Sequence, residues 1–242
     1  MKLVTFSFDD GTLQDYRLVA LLNQYGMKGT FNLVSGRWGQ NHIVEHRGIL
    51  VNHSEILASE VKDLYRGHEV ACHTMTHPNN LDELSAETSL LEVEDNRRDL
   101  EQLVGYSVVG VAYPHGKWSD SVLESLRTQT PIRYGRTIQK AQDYRPPEDW
   151  LVWHPSGGRA SDPTLIDEIH RFLEIADEGI QILYSWGHSF EFDKTPNGWQ
   201  LFEDALKLLR QEKNLTFCTN SEVLDLVQNV RRLDAGCLRG RL

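Results

Sequence analysis

Apolar and polar positions recur along this chain with two periods, one of two residues and one near 3.6, and the two alternate from end to end. Val4, Phe6 and Phe8 fall at every second position, so Lys2 to Phe8 reads as a strand. Leu18, Leu21, Leu22 and Tyr25 then fall at i, i+3, i+4 and i+7, the stripe of a helix that Gly26 stops. Thr30 to Val34 is a second strand, a helix around Glu55 to Tyr65 ends at Gly67, and Glu69 to His73 is a third strand. A charged helix over roughly Ser85 to Leu103 leads into the apolar run Val108 to Tyr113. In the second half, Asp162-Pro163 opens a helix as a cap residue followed by proline does. Its stripe is Leu165, Ile169, Phe172, Leu173 and Ala176, and Gly179 ends it. Ile180 to Trp186 is apolar except at Gln181 and Ser185, as in a strand covered on both faces. Helices over Leu201 to Leu209 and Glu222 to Val230 flank a last strand, Leu215 to Cys218.

Strands separated by helices need crossover connections, which gives an α/β fold with a mainly parallel sheet, open or closed as a barrel. The rhythm has no linker or fixed-period repeat, so residues 1–230 read as one domain. Residues 231–242, with Arg231, Arg232, Arg239 and Arg241, read as a basic, solvated tail.

Composition narrows the partners. The chain has 242 residues, 40% of them hydrophobic, enough for a sizeable core. With 25 Lys and Arg against 35 Asp and Glu, the net charge of −10 disfavours nucleic acid and anionic membrane as partners. No apolar run approaches the length of a bilayer span. The first ten residues lack the apolar stretch and cleavage site of a signal peptide, so a cytoplasmic location is expected. Cys72, Cys218 and Cys237 form no Cys-x-x-Cys pair and suit a reducing compartment.

In parallel α/β folds the carboxyl ends of strands line the site, and here four such ends carry polar groups. Asp9-Asp10-Gly11 closes the first strand, where the glycine allows either an ordinary turn or a bend that aims two acids at one point. His73 and His77, four apart after Val70-Ala71-Cys72, can share one metal ion if the backbone curls between them. Spacing alone is weak evidence, since ten His in 242 residues give roughly 0.4 such pairs by chance. A second pair, His42 and His46, falls in a loop-like polar stretch and reads as surface. Tyr113-Pro114-His115-Gly116 is a tight turn whose backbone N–H can meet a ligand or merely solvent. His188 ends the strand through Trp186, in position for proton transfer near neutral pH. His53, His68 and His170 read as solvent-facing, and His154 as packed or lining a groove.

Taken together, these four ends resemble the polysaccharide deacetylase (NodB-like) family of metal-dependent sugar N-deacetylases. Asp9-Asp10-Gly11 matches that family's Asp-Asp-Gly, and His73-Thr74-Met75-Thr76-His77 its His-Ser/Thr-x-x-His. Pro114-His115 stands at its Pro-Tyr turn and His188 at its late histidine. The resemblance covers about residues 3–220. It implies an irregular (β/α) barrel of about seven strands. It also implies one divalent ion (zinc, otherwise cobalt, manganese or nickel) on Asp10, His73 and His77. Asp9 would then be the general base, His188 the general acid, and the His115 N–H an oxyanion donor. Tyr113 and Trp186, with Trp153, become candidate walls against a sugar ring. The implied activity is removal of acetyl groups from N-acetylated sugars or short oligosaccharides. The alternatives are hydrolysis of another C–N bond, such as a ureide or cyclic imide, and a non-catalytic sugar-binding relative. Ala112 stands where the family's base-orienting Arg is expected; Arg136 and Arg159 are candidates to replace it.

Overall fold

A computed structural model of the chain describes residues 1–176 and 179–239. β1 (Lys2–Asp10), α1 (Asp15–Gln24) and β2 (Thr30–Leu33) lead into a short ribbon, β3 (Ile43–His46) and β4 (Ile49–Asn52). Then come α2 (Val61–Leu64), β5 (Glu69–Cys72), α3 (Ala86–Val104), β6 (Gly110–Ala112), α4 (Asp120–Gln129) and β7 (Tyr134–Arg136). The last third holds α5 (Leu165–Leu173), β8 (Gln181–His188), α6 (Glu191–Lys194), α7 (Gly198–Gln211), β9 (Leu215–Phe217) and α8 (Asn220–Arg239).

Seven strands form one parallel sheet in the order β7-β6-β5-β2-β1-β8, with β9 beside Lys2–Val4 of β1. An irregular segment joins the two edges. Trp153 N–H donates to Gly135 O at 2.8 Å on β7, while Gly157 and Ala160 N–H donate to Tyr184 and Trp186 O at 2.7 Å on β8. The sheet therefore curls into the irregular barrel of a single α/β domain.

The alternation in β1 separates two environments. Phe6 and Phe8 point out and meet Phe202 of α7 edge-on at 5.6 and 6.0 Å. They belong to the large core between sheet and helices. Leu3 points in, packing with Tyr134, Trp153, Ile182 and Tyr184 at the amino end of the barrel. Ser7 and Asp9 share that inward face and bring polarity to its carboxyl end.

Several expectations change. The helix expected over Glu55 to Tyr65 shrinks to a short turn and α2. Glu55 instead bridges Thr12, and Ile56 N–H donates to Gly11 O at 3.0 Å, so the segment is extended against the loop after β1. The stretch around His42 and His46 is a hairpin, not a loop. Its two-residue turn, Arg47 at φ 50° and Gly48 at φ 86°, has the doubly left-handed backbone that matches strand twist. β7 carried no periodic signal because three residues are too few. The expected basic, solvated tail is helical as far as Arg239, with Arg231 and Arg232 exposed; residues 240–242 lie outside the described ones. No described helix is long and apolar enough to cross a membrane.

Candidate active site and metal centre

Parallel strands bring their carboxyl ends to one rim of the barrel. Asp9 and Asp10 arrive from β1, His73 from β5, the His115 turn from β6, Arg136 from β7 and His188 from β8. Adjacent strand residues face opposite ways, so two neighbouring acids share a site only if the backbone turns between them. Asp10 does this itself, at φ 76°, followed by Gly11 also at φ 76°. Thr74 (φ 66°), His77 (φ 58°) and His115 (φ 55°) are left-handed too. Such backbone costs about 1–3 kcal/mol per non-glycine residue and gathers where a site over-determines it.

The loop after β5 is clamped by α3, a helix that Ser85 caps by accepting from Thr88 N–H. Asn96, fully buried on this helix, accepts from His73 N–H at 3.0 Å and donates to Leu33 O and Ser35 Oγ, both at 3.0 Å. Glu92 accepts from Thr76 N–H at 2.9 Å and Thr76 Oγ1 at 2.8 Å. His73 Nδ1 lies 2.8 Å from Ala112 O. A carbonyl can only accept, so Nδ1 carries the proton and Nε2 offers a lone pair. That Nε2 is 3.7 Å from Asp10 Oδ1, and His77 Nε2 is 3.8 Å from the same oxygen.

Asp10 Oδ1 is buried and has no hydrogen-bond partner among the described residues. An acceptor stranded between two imidazole nitrogens with no donor to meet it is expensive unless a cation joins them. The ligand atoms of Asp10, His73 and His77 all lie within 4.8 Å of one another. Burial lowers the pKa of His73, and burial together with His73 lowers that of His77 to about 3, keeping both rings neutral as ligation requires. One carboxylate and two imidazoles fit a divalent ion with open coordination positions.

Asp9 lies beside this triad, with Oδ2 2.5 Å from Arg136 Nη2 and Oδ1 2.8 Å from Asn32 Nδ2. Burial raises its pKa, but the charges of Arg136, His73 and His188 and the Asn32 bond outweigh that and hold it below the usual range. Of the two candidate cations, Arg136 is the one paired with Asp9, while Arg159 ion-pairs with Glu191. His188 Nε2 is 3.8 Å from both Asp9 Oδ2 and Asp10 Oδ2. Its other side meets Glu191, whose Oε1 is 3.5 Å from Nδ1 and whose Oε2 accepts from His188 N–H at 3.4 Å. Burial lowers the pKa of His188, but Glu191, Asp10 and Asp9 reverse this and raise it.

Asp9, Asp10, His73, His77 and His188 therefore lie together on one rim of the barrel. His115 is exposed, its ring 4.8 Å from that of His77. The candidate walls are different. Tyr113 is fully buried with its hydroxyl bonded to Leu151 O at 2.9 Å, so its ring packs in the core and cannot face a sugar. Trp153 packs against Tyr184 in the barrel interior. Trp186 is 6% exposed, and its indole carries the guanidinium groups of Arg136 and Arg159 at 4.6 and 4.4 Å. His53 and His68 do not face solvent as expected. His53 stacks on Phe190 at 3.7 Å and its Nε2 is 3.1 Å from His46 Nε2, and His68 accepts from Gly29 N–H at 3.1 Å. His170 is exposed as expected, and His154 contacts Thr137 Oγ1. Glu191 and Asn96 were missed. The first lies one helical turn after His188, and the second is a polar residue on the buried stripe of Val93 and Leu100.

The family model described as polysaccharide deacetylase matches residues 1–134. No curated protein matches the sequence. Among solved structures, the chain is similar to the Streptococcus pyogenes deacetylase PplD in complex with acetate, at 21% identity over 61% of each chain and a TM-score of 0.51. It resembles peptidoglycan deacetylase PdaC from Bacillus subtilis at 19% identity, covering 100% of this chain and 97% of that one, with a TM-score of 0.59. A family 4 acetyl xylan esterase from Clostridium thermocellum, in complex with a cobalt ion, matches at 17% identity over 93% and 91% with a TM-score of 0.58. At these identities the likeness is one of fold.

Proposed function

Because this chain belongs to the polysaccharide deacetylase family, a family of hydrolases, we propose that it removes acetyl groups from N-acetylated sugars or short oligosaccharides using one divalent ion. Asp10, His73 and His77 would hold the ion, zinc first among candidates. The observation that carries this reading is the unpartnered Asp10 Oδ1 between His73 Nε2 and His77 Nε2, with Asp9 and His188 converging beside it.

When bound, such an ion supplies Lewis acidity, which acidifies water and polarises an amide carbonyl. The residues supply orientation and proton transfer. Asp9, fixed by Arg136 and Asn32 and held ionised, takes a proton from the attacking water. The His115 N–H, on its left-handed turn, donates to the carbonyl oxygen as charge builds there, a contribution typically worth about 10²–10³ in rate. His188, whose pKa Glu191, Asp10 and Asp9 raise against burial, gives its proton to the departing nitrogen. The free thiols of Cys72 and Cys218 support a cytoplasmic setting for this activity.

The test is acetate release from N-acetylated hexosamines and their oligomers, measured beside ureide and cyclic-imide hydrolysis with and without chelator. Chelator-sensitive acetate release is expected. Turnover confined to the ureide or imide, or untouched by chelator, overturns the reading.

A further inference from the structure

Trp186 is better explained as part of the catalytic scaffold than as a wall for substrate. It and His188 are two apart on β8, hence on one face of the strand, with ring centroids 6.2 Å apart. Across the ladder their partners on β1 are Ser7 and Asp9. The indole therefore sits directly behind the pair of side chains assigned to proton transfer.

Two cations rest on that indole, and each leads to a different member of the pair. Arg136, fully buried, reaches Asp9 through Nη2. Its remaining contacts are weak: Nη1 donates to Thr137 O at 3.4 Å, and Nε has no partner among the described residues. A guanidinium so sparsely bonded needs another surface to fix its plane, and the ring 4.6 Å away is that surface. Arg159 pairs with Trp186 through a backbone bridge and lies over the same ring at 4.4 Å. It is ion-paired with Glu191, which meets His188 at both the ring and the backbone N–H.

We propose that Trp186 is a positioning residue, its indole face holding both the arginine that orients the Asp9 carboxylate and the arginine that steadies the Glu191–His188 pair. The inference rests on the roles proposed above for Asp9 and His188. It differs from a wall in what it predicts: a sugar platform acts through KM, whereas misplaced proton-transfer groups act through kcat.

Trp186→Leu keeps apolar bulk and removes the π face; Trp186→Phe keeps a smaller face. Steady-state kinetics on an N-acetylated hexosamine oligomer should give a roughly 10²-fold loss of kcat for Trp186→Leu, the scale of a misplaced catalytic group, with KM and bound metal unchanged. Trp186→Phe should recover most of that loss. In parallel, nitrogen-15 NMR of the arginine side chains should find the Arg136 Nε–H signal, shifted by the indole ring current, moved by Trp186→Leu and nearly restored by Trp186→Phe. A raised KM with intact kcat, or an Arg136 signal indifferent to both variants, overturns the proposal. Should Trp186→Leu not fold, Trp186→Met, which also lacks a π face, takes its place, and kcat and an Arg136 signal both equal to wild type in it refute the proposal. A wild type inactive on every acetylated sugar refutes the proposed function instead, and leaves the arginine signals to judge the positioning claim.

Discussion

Asp9 and Arg136, 127 positions apart in the chain, form an ion pair inside the barrel with Nη2 2.5 Å from Oδ2 and side chains 3% and 1% exposed. Removing one member of such a pair leaves a buried charge without compensation, which typically costs about 3–5 kcal/mol. Arg136→Met should therefore lower stability on that scale in urea denaturation. Adding Asp9→Asn to it should recover part of the loss, because the orphaned charge disappears. A stability change within about 0.5 kcal/mol for Arg136→Met, the range of ordinary surface substitutions, would contradict the pair's importance.

The division of labour between adjacent acids separates two variants. Asp10→Asn should lose both the ion and turnover. Asp9→Asn should keep the ion and lose turnover by about 10²-fold or more, the contribution of a positioned base. Metal content after desalting and initial rates on one acetylated substrate check both. Near-full activity in Asp9→Asn would exclude it as the base.

Much of this site was legible because its members lie where a strand stops. Asp9-Asp10-Gly11 ends an alternating apolar run and His73 ends the continuous run Val70-Ala71-Cys72, so their strand ends marked one rim, while their roles came from the resemblance to the family. His188 was legible for the same reason. Arg136 could be named only as one of two cations, because β7 is three residues long and its partner Asp9 lies 127 positions away in the chain. Asn96 reaches His73 across packed elements that a linear pattern does not encode, whereas Glu191 reaches His188 from only three residues on, where an acid after a strand end reads equally as a solvated turn. Tyr113 misled for a related reason: an aromatic beside a strand end has the same pattern whether it faces a ligand or packs inward.

A pH dependence follows from Asp15, fully buried at the start of α1 with Oδ2 accepting from Tyr65 OH at 2.6 Å. Burial, aided by the charges of Asp10 and Asp9, raises its pKa from the ordinary 3.8 to about 7 against the bonds from Ser189 and Tyr65. The folded state thus retains a proton that the unfolded chain releases. The stability this provides is complete below 3.8 and is lost as pH rises towards about 7. Asp15→Asn, which cannot ionise, should gain on the wild type by about 1.4 kcal/mol per pH unit through that window and level off above it. Denaturation at unit steps of pH checks this, and parallel profiles would contradict it.

Proton donation by His188 predicts selectivity among leaving groups. His188→Ala should cost roughly 10²-fold or more on amides and far less on activated esters, whose leaving groups need no proton. Glu191→Gln should shift the same ratio in the same direction, since it withdraws the charge facing Nδ1. Kinetics on a matched amide and aryl ester decide it, and equal losses on both would count against the assignment.

The central claim is that Asp10, His73 and His77 together grip one cation, and its most direct measurement needs no substrate. Chelator-stripped protein titrated with cobalt(II), followed by visible absorption and calorimetry, should bind one equivalent per chain, and the variant lacking the Asp10 carboxylate and the His77 imidazole should bind none. Stripped wild type that takes up no cobalt, or a double variant that takes up as much as wild type, would contradict it.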